Sequence, residues 1–167
     1  GFDNFTAISG THQPGMIDWD VILVMGQTGR VSPNFPSIIC EKFRNLERIF
    51  ITANHGMQFL DENSFRDCSK LTALEITRNN LISISENTFI NNPDLDHIDF
   101  WYNQLSNLPV NVFAPLSKLR LLSLRNNQFE NFLPNIFAPL VNLVGIYIDD
   151  NKFTVINTNW FPSSMPY

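Results

Sequence analysis

Apolar positions recur along this chain at a constant interval of 24 residues. The leading leucines of four successive segments are Leu71, Leu95, Leu119 and Leu143. The most regular segment, Leu119 to Asn142, reads LRLLSLRNNQFENFLPNIFAPLVN, and Leu133 and Phe137 complete its apolar set. An unchanged interval of this length predicts a solenoid, in which stacked coils bury their recurring apolar side chains between them.

Behind each leading leucine, two apolar residues alternate with polar ones, and an asparagine follows. Alternation with a period of two puts the apolar side chains on one face of a short strand, so the strands of successive coils are expected to form a parallel sheet. The asparagine amide can donate to and accept from backbone groups of neighbouring coils, which makes its predicted role structural. The recurring sets are Leu74, Ile76 and Asn79; Ile98, Phe100 and Asn103; Leu122, Leu124 and Asn127; and Ile146, Ile148 and Asn151.

A phenylalanine recurs in the return segment that closes each coil, where an aromatic ring can fill the far side of the coil. The residues in this position are Phe65, Phe89, Phe113, Phe137 and Phe161. Pro109 and Pro134 favour extended backbone in these segments. Short helical turns are expected around the phenylalanine itself, and long helices are not.

From Leu46 to Phe161 the pattern resembles the extracellular leucine-rich repeats of animals. The motifs NLPVNVFAPLSKLRLLSLRNNQF and ICEKFRNLERIF are similar in particular to secreted or surface repeat proteins of arthropods and to Toll-type ectodomains. The resemblance implies an α/β leucine-rich-repeat solenoid, with a curved parallel sheet on the concave side and mostly irregular or short 3-10 segments on the convex side. It also implies binding of a protein ligand through the concave face, often in immunity, adhesion or development, without catalysis and without a cofactor.

The repeats divide the chain into an N-terminal cap at 1–18 and a solenoid of about six coils at 19–167. Trp19 to Gln27 is interpreted as a degenerate first repeat, and Leu46 opens an irregular second one. Tyr167 stands where the next leading residue belongs, so the C-terminal end is either closed by a short Pro-Ser-rich segment or truncated. The resembling family commonly has cysteine-rich caps at both ends, and this cap contains no cysteine.

The two cysteines occupy positions on the convex side of adjacent coils. Cys40 lies six residues before Leu46, and Cys68 lies three residues before Leu71. This offset is compatible with a Cα separation of about 5 to 7 Å, which allows a disulfide bond. The alternative is a pair of buried free thiols. A disulfide, together with the sequon at Asn4 as a glycosylation site, predicts an extracellular protein, secreted or on the cell surface.

Charge and hydropathy narrow the classes of partner. The net charge of −5 and a pI near 5.0 argue against nucleic acid, because no basic stripe is present to neutralise phosphates. The longest apolar run, Val21 to Met25, has the length of a strand and falls far short of the roughly 20 residues of a membrane span. A protein ligand, which the resemblance implies, is the predicted partner. Sugar or lipid is a weaker alternative, because exposed aromatics could stack on a sugar ring but no enclosed pocket is predicted.

The solvent-facing positions of the predicted strands are the place to look for a site, since the other positions are used for packing. Trp101, Tyr102 and Tyr147 are large aromatic residues in such positions, and aromatic and arginine side chains commonly anchor protein interfaces. The alternatives are a solvated sheet whose aromatics pack on one another, or a contact between copies. The predicted binding residues are Asp96, His97, Asp99, Trp101, Tyr102, Arg125, Tyr147 and Asp149.

Catalysis and metal binding on the predicted sheet are disfavoured. His97, Asp99 and Ser123 could form a triad, but an open sheet offers no oxyanion hole and no wall against water. The three histidines lie far apart in the sequence, which argues against zinc, and a calcium site at Asp149 and Asp150 would need further oxygen ligands. No metal site is predicted. The alternative to a binding module is a structural protein that forms a homo-oligomer through the exposed ends or faces of the solenoid.

Overall fold

The computed structural model describes the strand at 22–25, residues 33–52 and residues 56–161. The cap expected at 1–18, the sequon at Asn4, His55 and the end at Tyr167 lie outside the described residues. The division of the chain into a cap and a solenoid therefore stays a prediction.

Six parallel strands form the main sheet, one from each coil. They are β1 (Ile22–Met25), β2 (Arg48–Thr52), β4 (Ala73–Thr77), β6 (His97–Asp99), β7 (Leu121–Ser123) and β8 (Gly145–Tyr147), and they pair in this order. Leu74, Ile98, Leu122 and Ile146 occupy equivalent places in the register, and the first three are fully buried. The solenoid with a parallel sheet, predicted from the alternation of apolar residues, is thus confirmed.

The segments that return from one strand to the next are mostly turns, as predicted. Their regular pieces are a five-residue helix, α1 (Ile38–Lys42), and a 3-10 helix at Thr158–Trp160. A second sheet, which the sequence did not predict, consists of the parallel strands β3 (Phe59–Leu60) and β5 (Ser83–Ile84). β5 follows the turn at Asn79, β3 belongs to the preceding coil, and each strand buries its second residue in the core.

The asparagines that follow the strands connect the coils through buried hydrogen bonds. Nδ2 of Asn127 donates to the carbonyl oxygen of Phe100 in the preceding coil at 2.9 Å and to that of Leu124 at 3.1 Å. Oδ1 accepts from the backbone N–H of Leu105 at 3.0 Å. Equivalent donations to the preceding coil are made by Asn79, Asn103 and Asn151. The predicted structural role of this position is confirmed.

The phenylalanine position forms a column through the far side of the coils. The rings of Phe113 and Phe137 stack with centroids 6.0 Å apart, and Phe161 continues the column 5.3 Å from Phe137. Phe65 and Phe89 stack in the same way at 6.3 Å. Together with the strand residues this column makes one continuous core along the solenoid.

Leu133 does not belong to the core, so its place in the predicted apolar set was wrong. Its side chain is 48% exposed, whereas the preceding residue, Phe132, is only 4% exposed. The ring of Phe132 packs against Phe153 at 5.1 Å and against Trp160 at 5.2 Å, in an aromatic cluster that a leucine could not fill as well. The inward position is the one that Leu60, Ile84 and Leu108 hold in earlier coils.

Cys40 and Cys68 form a disulfide bond, with a Cα–Cα distance of 4.9 Å. Cys40 lies on α1 and Cys68 lies in the return segment of the next coil, and both are fully buried. The predicted pairing is confirmed. The bond joins the convex sides of two adjacent coils that are less regular in sequence than those that follow.

Candidate binding surface on the sheet

The register of the sheet sets the predicted site residues side by side. Asp99 on β6 pairs with Ser123 on β7, and Ser123 pairs with Tyr147 on β8. His97 likewise pairs with Leu121. Because neighbouring strands lie about 4.8 Å apart, these side chains are within reach of one another on the solvent side of the sheet, which we call the sheet face.

A hollow of about 320 Å³ lies on the sheet face over β6, β7 and β8. It combines five residues predicted to bind with two that the sequence had not assigned to the site. Its lining residues are His97, Asp99, Trp101, Leu121, Ser123, Arg125 and Tyr147. The two additions, Leu121 and Ser123, come from the middle strand, and the constant repeat interval is the signal in the sequence that could have identified them as neighbours of His97 and Asp99.

Gly145 is a further residue that the sequence did not mark. A Cβ atom at this position would lie 3.0 Å from Cδ2 of Leu121, 3.6 Å from Cε2 of Tyr147 and 3.7 Å from the Tyr147 hydroxyl oxygen. The ring of Tyr147 therefore lies back along its own strand, over the glycine. The absence of a side chain at Gly145 lets Tyr147 form one side of the hollow.

Arg125 is held at the hollow by an ion pair. Its Nε and Nη2 atoms each lie 2.7 Å from Oδ2 of Asp149 in the next coil. Both side chains are about half exposed, so the pair contributes little to stability, on the order of 0 to 1 kcal/mol. The ion pair matters for the site, because Asp149 orients the Arg125 guanidinium and offsets the positive charge of Arg125.

Trp101 lies between an arginine and a tyrosine. The guanidinium carbon of Arg78 is 4.8 Å from the centre of the indole ring, a cation–π contact, and the ring of Tyr102 meets Trp101 edge-on with centroids 6.2 Å apart. The Trp101 backbone N–H donates to Oδ1 of Asp99 at 2.8 Å. These contacts give the indole one orientation at the hollow.

Tyr102 has a left-handed backbone with φ of 57°, although it is not a glycine. The residues at the equivalent position of the other regular coils share this conformation: Arg78, Asn126 and Asp150, with φ between 53° and 55°. Backbone hydrogen bonds to the next coil hold it in place, since the Tyr102 N–H donates to the Arg125 carbonyl oxygen at 3.1 Å. The left-handed turn sets the direction in which Tyr102 leaves the strand, toward Trp101 and away from the hollow.

His97 contacts an acid on the preceding strand. Its Nε2 atom is 3.5 Å from Oε1 of Glu75. Partial burial raises the pKa of Glu75 above its ordinary value of 4.5; the charge of His97 acts in the opposite direction, and that of Asp99 raises the pKa further. The Asp99 carboxylate on the adjacent strand thus lies close enough to disfavour the charged form of Glu75.

Asp96 is the predicted site residue that lies apart from the others. Its side chain is exposed and does not line the hollow. Its backbone carbonyl oxygen accepts from the N–H groups of Arg120 and Leu121, at 2.8 and 3.1 Å, which ties β6 to β7.

The arrangement shows no catalytic geometry. Within residues 33–52 and 56–161, His97 makes its polar side-chain contact with Glu75, and no hydrogen bond joins it to Asp99 or Ser123. The same part of the chain holds no group of three or more His, Cys, Asp or Glu side chains placed to bind a metal ion. None of its helices has the length and apolar character needed to cross a membrane.

The sequence matches a protein family that is defined by repeats of this kind. Residues 36–166 match the family described as BspA type leucine rich repeat region, in six copies. The chain belongs to the leucine-rich-repeat family. Among curated proteins, none matches the sequence of this leucine-rich-repeat protein.

Solved structures show the same fold. The leucine-rich-repeat domain of APL1 is 20% identical with a TM-score of 0.69, and the match covers 83% of this chain and 43% of that one. The receptor in the TLR13–ssRNA13 complex is 24% identical with a TM-score of 0.68, over 74% of this chain and 17% of that one. The ectodomain of the receptor kinase SOBIR1 from Arabidopsis thaliana is 22% identical with a TM-score of 0.59, over 74% and 66%. This leucine-rich-repeat protein therefore spans less than half the length of the first two.

Proposed function

We propose that this leucine-rich-repeat protein is a non-enzymatic extracellular module that binds a protein ligand on the sheet face. The observation that carries the proposal is the hollow itself. Trp101 and Tyr147 border it, and Tyr147 is 50% exposed although the core is filled by other aromatic residues. Exposed aromatics around a depression with fixed polar groups are the usual anchors of a protein interface.

Two observations support an extracellular place for this module. The Cys40–Cys68 disulfide is the kind of bond that persists in oxidising compartments. One of the similar structures, SOBIR1, is the ectodomain of a receptor kinase. The resemblance seen in the sequence assigns such modules to immunity, adhesion or development, and recognition of a ligand is what these roles share.

A protein ligand is preferred over nucleic acid, although one similar structure is a complex with single-stranded RNA. The net charge of −5 works against binding to phosphates. Arg125, the arginine at the hollow, is already paired with Asp149.

Capture of the ligand from the native extracellular fluid tests the proposal. The double variant Trp101→Ala/Tyr147→Ala removes both aromatic borders of the hollow, and each truncation of an anchor of this kind costs roughly 2 kcal/mol of binding, about 30-fold in affinity. We expect the variant to lose the captured protein. Phe59→Ala is the matched control, because Phe59 is an exposed aromatic residue on the second sheet. Equal capture by both variants would contradict the proposal.

Self-assembly is the alternative function, and exposed apolar residues on the last coil that the structure describes favour it. Val144, Val155 and Ile156 are all largely exposed there. If assembly is the function, sedimentation of the pure chain will show association that rises with concentration. A monomer at all concentrations argues for the binding module.

A further inference from the structure

The hollow presents a row of oxygen atoms to solvent. We propose that it receives a cationic side chain, lysine or arginine, from the protein ligand. This inference rests on the proposed binding function and adds the chemistry of the contact. These oxygens belong to Asp99, Ser123 and Tyr147, whose backbones share one line of the sheet register, while the Tyr147 hydroxyl lies back along β8 near Gly145.

Hydrogen-bond acceptors in this row are left without partners inside the protein. One oxygen of the Asp99 carboxylate accepts from the Trp101 N–H, and among residues 33–52 and 56–161 no group donates to the other. In the same part of the chain, no hydrogen bond engages the hydroxyl groups of Ser123 or Tyr147. An ammonium group has three donors and a guanidinium has five, and neither has an acceptor, so a row of acceptors with an anion at one end suits both.

The remaining walls fit the aliphatic part of such a side chain. Trp101 and Leu121 line the hollow with apolar surface. Lysine and arginine commonly lay their methylene stems along apolar surface while the charged end makes polar contacts. Arg78 already places its guanidinium over Trp101, which shows that this indole is placed to contact a cation.

The charge around the hollow also favours a cation. Arg125 is offset by Asp149, whereas Asp99 has no ion pair among the residues that the structure describes and lies beside Glu75. A cation in the hollow beside Asp99 would offset the negative charge that contributes to the raised pKa of Glu75 on the adjacent strand. Along the solvent-facing positions of the described strands and their ends, acids outnumber arginines: Glu47, Glu75, Asp96, Asp99, Asp149 and Asp150 against Arg48, Arg78, Arg120 and Arg125.

Titration of the full chain with synthetic peptides tests the inference. The probes are capped pentapeptides with glycine at four positions and arginine, lysine, glutamate or leucine at the centre. Binding is followed by nuclear magnetic resonance at the indole N–H of Trp101, which is assigned with the Trp101→Phe variant. The arginine and lysine peptides are expected to shift this resonance and to bind more weakly as salt is added. The glutamate peptide is expected to leave the resonance unchanged.

Asp99→Asn is the decisive variant, because it removes the charge and keeps an oxygen for the Trp101 N–H. It should weaken binding of the arginine peptide about tenfold, the usual scale for a charge-assisted hydrogen bond. Ser123→Ala, which leaves the Asp99–Trp101 hydrogen bond in place, should weaken it severalfold. Asp67→Asn is the matched control, since Asp67 lies in a return segment and does not line the hollow. It should bind like the wild type.

Two results overturn the inference, and they differ in what they say about the proposed function. If the leucine or glutamate peptide binds as tightly as the basic ones, the hollow binds peptides but does not select a cation. If no peptide shifts Trp101, the hollow does not take a cationic side chain, and the capture experiment decides the binding function separately.

Discussion

At the scale of single residues, the buried asparagines contribute more to stability than their size suggests. Asn127 satisfies two carbonyl oxygens and one N–H that belong to three different backbone segments. Each of these groups is buried with the asparagine, which is 4% exposed. A buried backbone group left without a partner costs about 1 to 3 kcal/mol.

Asn127→Ala is therefore expected to lower the free energy of unfolding by roughly 2 to 4 kcal/mol. Urea denaturation followed by circular dichroism measures the change. Asn111→Ala is the control, because Asn111 makes an exposed hydrogen bond to Glu86 and should change stability by about 0.5 kcal/mol or less. Similar losses of stability for both variants would show that the buried asparagines between the coils have no special role.

Gly145 is expected to matter for the site more than for the fold. In Gly145→Ala the new methyl group would meet the end of the Leu121 side chain at 3.0 Å and crowd Tyr147. Both side chains can move, so the free energy of unfolding should change by about 1 kcal/mol or less. Binding at the hollow should weaken because Tyr147 is displaced. Thermal unfolding and the peptide titration measure the two effects, and unchanged peptide binding would contradict this role of Gly145.

Glu75 gives a pH dependence with a defined sign. Its pKa in the folded protein is raised above the ordinary value of 4.5, which applies to the unfolded chain. At a pH between the unfolded and the folded pKa, the folded state therefore binds more protons than the unfolded state. The stability contributed by Glu75 therefore falls as pH rises through this window and stays lower above it. The Glu75→Gln variant has no carboxyl group at this position, so its stability does not show this decrease with pH.

The free energy of unfolding of Glu75→Gln is expected to increase relative to the wild type as the pH rises from roughly 4 to about 7. Chemical denaturation at several pH values measures the difference. Glu130→Gln serves as the control for an exposed carboxylate. A constant offset between Glu75→Gln and the wild type across the pH range would contradict the prediction.

At the scale of elements, the coils differ in what holds them together. The regular coils depend on the apolar strand residues, the asparagines and the phenylalanine column, whereas α1 and the following return segment are also joined by the disulfide. The bond closes a loop of 28 residues, which stabilises the folded chain by about 3.5 kcal/mol if it acts by restricting the unfolded state.

Reduction should therefore lower the urea midpoint of the wild-type protein, by an amount that corresponds to roughly 2 to 4 kcal/mol. Denaturation with and without a reductant measures this loss. The double variant Cys40→Ala/Cys68→Ala should already have the lower midpoint and should not respond to the reductant. A reductant effect of equal size in the variant would show that the loss does not come from this bond.

Elements also show what the sequence could and could not decide. Phe132 and Leu133 are adjacent and both apolar, but the 24-residue interval from Leu60, Ile84 and Leu108 leads to Phe132, so the repeat pattern could have identified Phe132 as the residue that faces inward. Phe153 and Trp160, in the next return segment, complete the aromatic cluster around Phe132. The second sheet of β3 and β5 was missed because two-residue strands carry almost no periodic signal.

At the scale of the whole molecule, strands contact only the strands of adjacent coils in the described part of the chain. Stability in such a stack is approximately a sum of coil and neighbour terms. The hollow spans three coils, so it exists only while β6, β7 and β8 are stacked. Damage to the asparagine ladder between these coils, as in Asn127→Ala, should therefore weaken the site as well as the fold.

The sequence predicted a bond between Cys40 and Cys68 with buried free thiols as the alternative, and the structure decided for the bond. By itself the sequence determined the solenoid, the parallel sheet and the role of the asparagines. These follow from a strict interval, because each coil must bury the same apolar positions against its neighbours. The tertiary structure decided which exposed side chains meet. The sequence had named Ser123 only as a member of a possible triad, and the structure placed it in the hollow; Gly145 became visible only in the structure, and Asp96 proved to lie apart. Contacts across strands depend on side-chain directions and left-handed turns such as that at Tyr102, which packing between coils sets and local pattern does not.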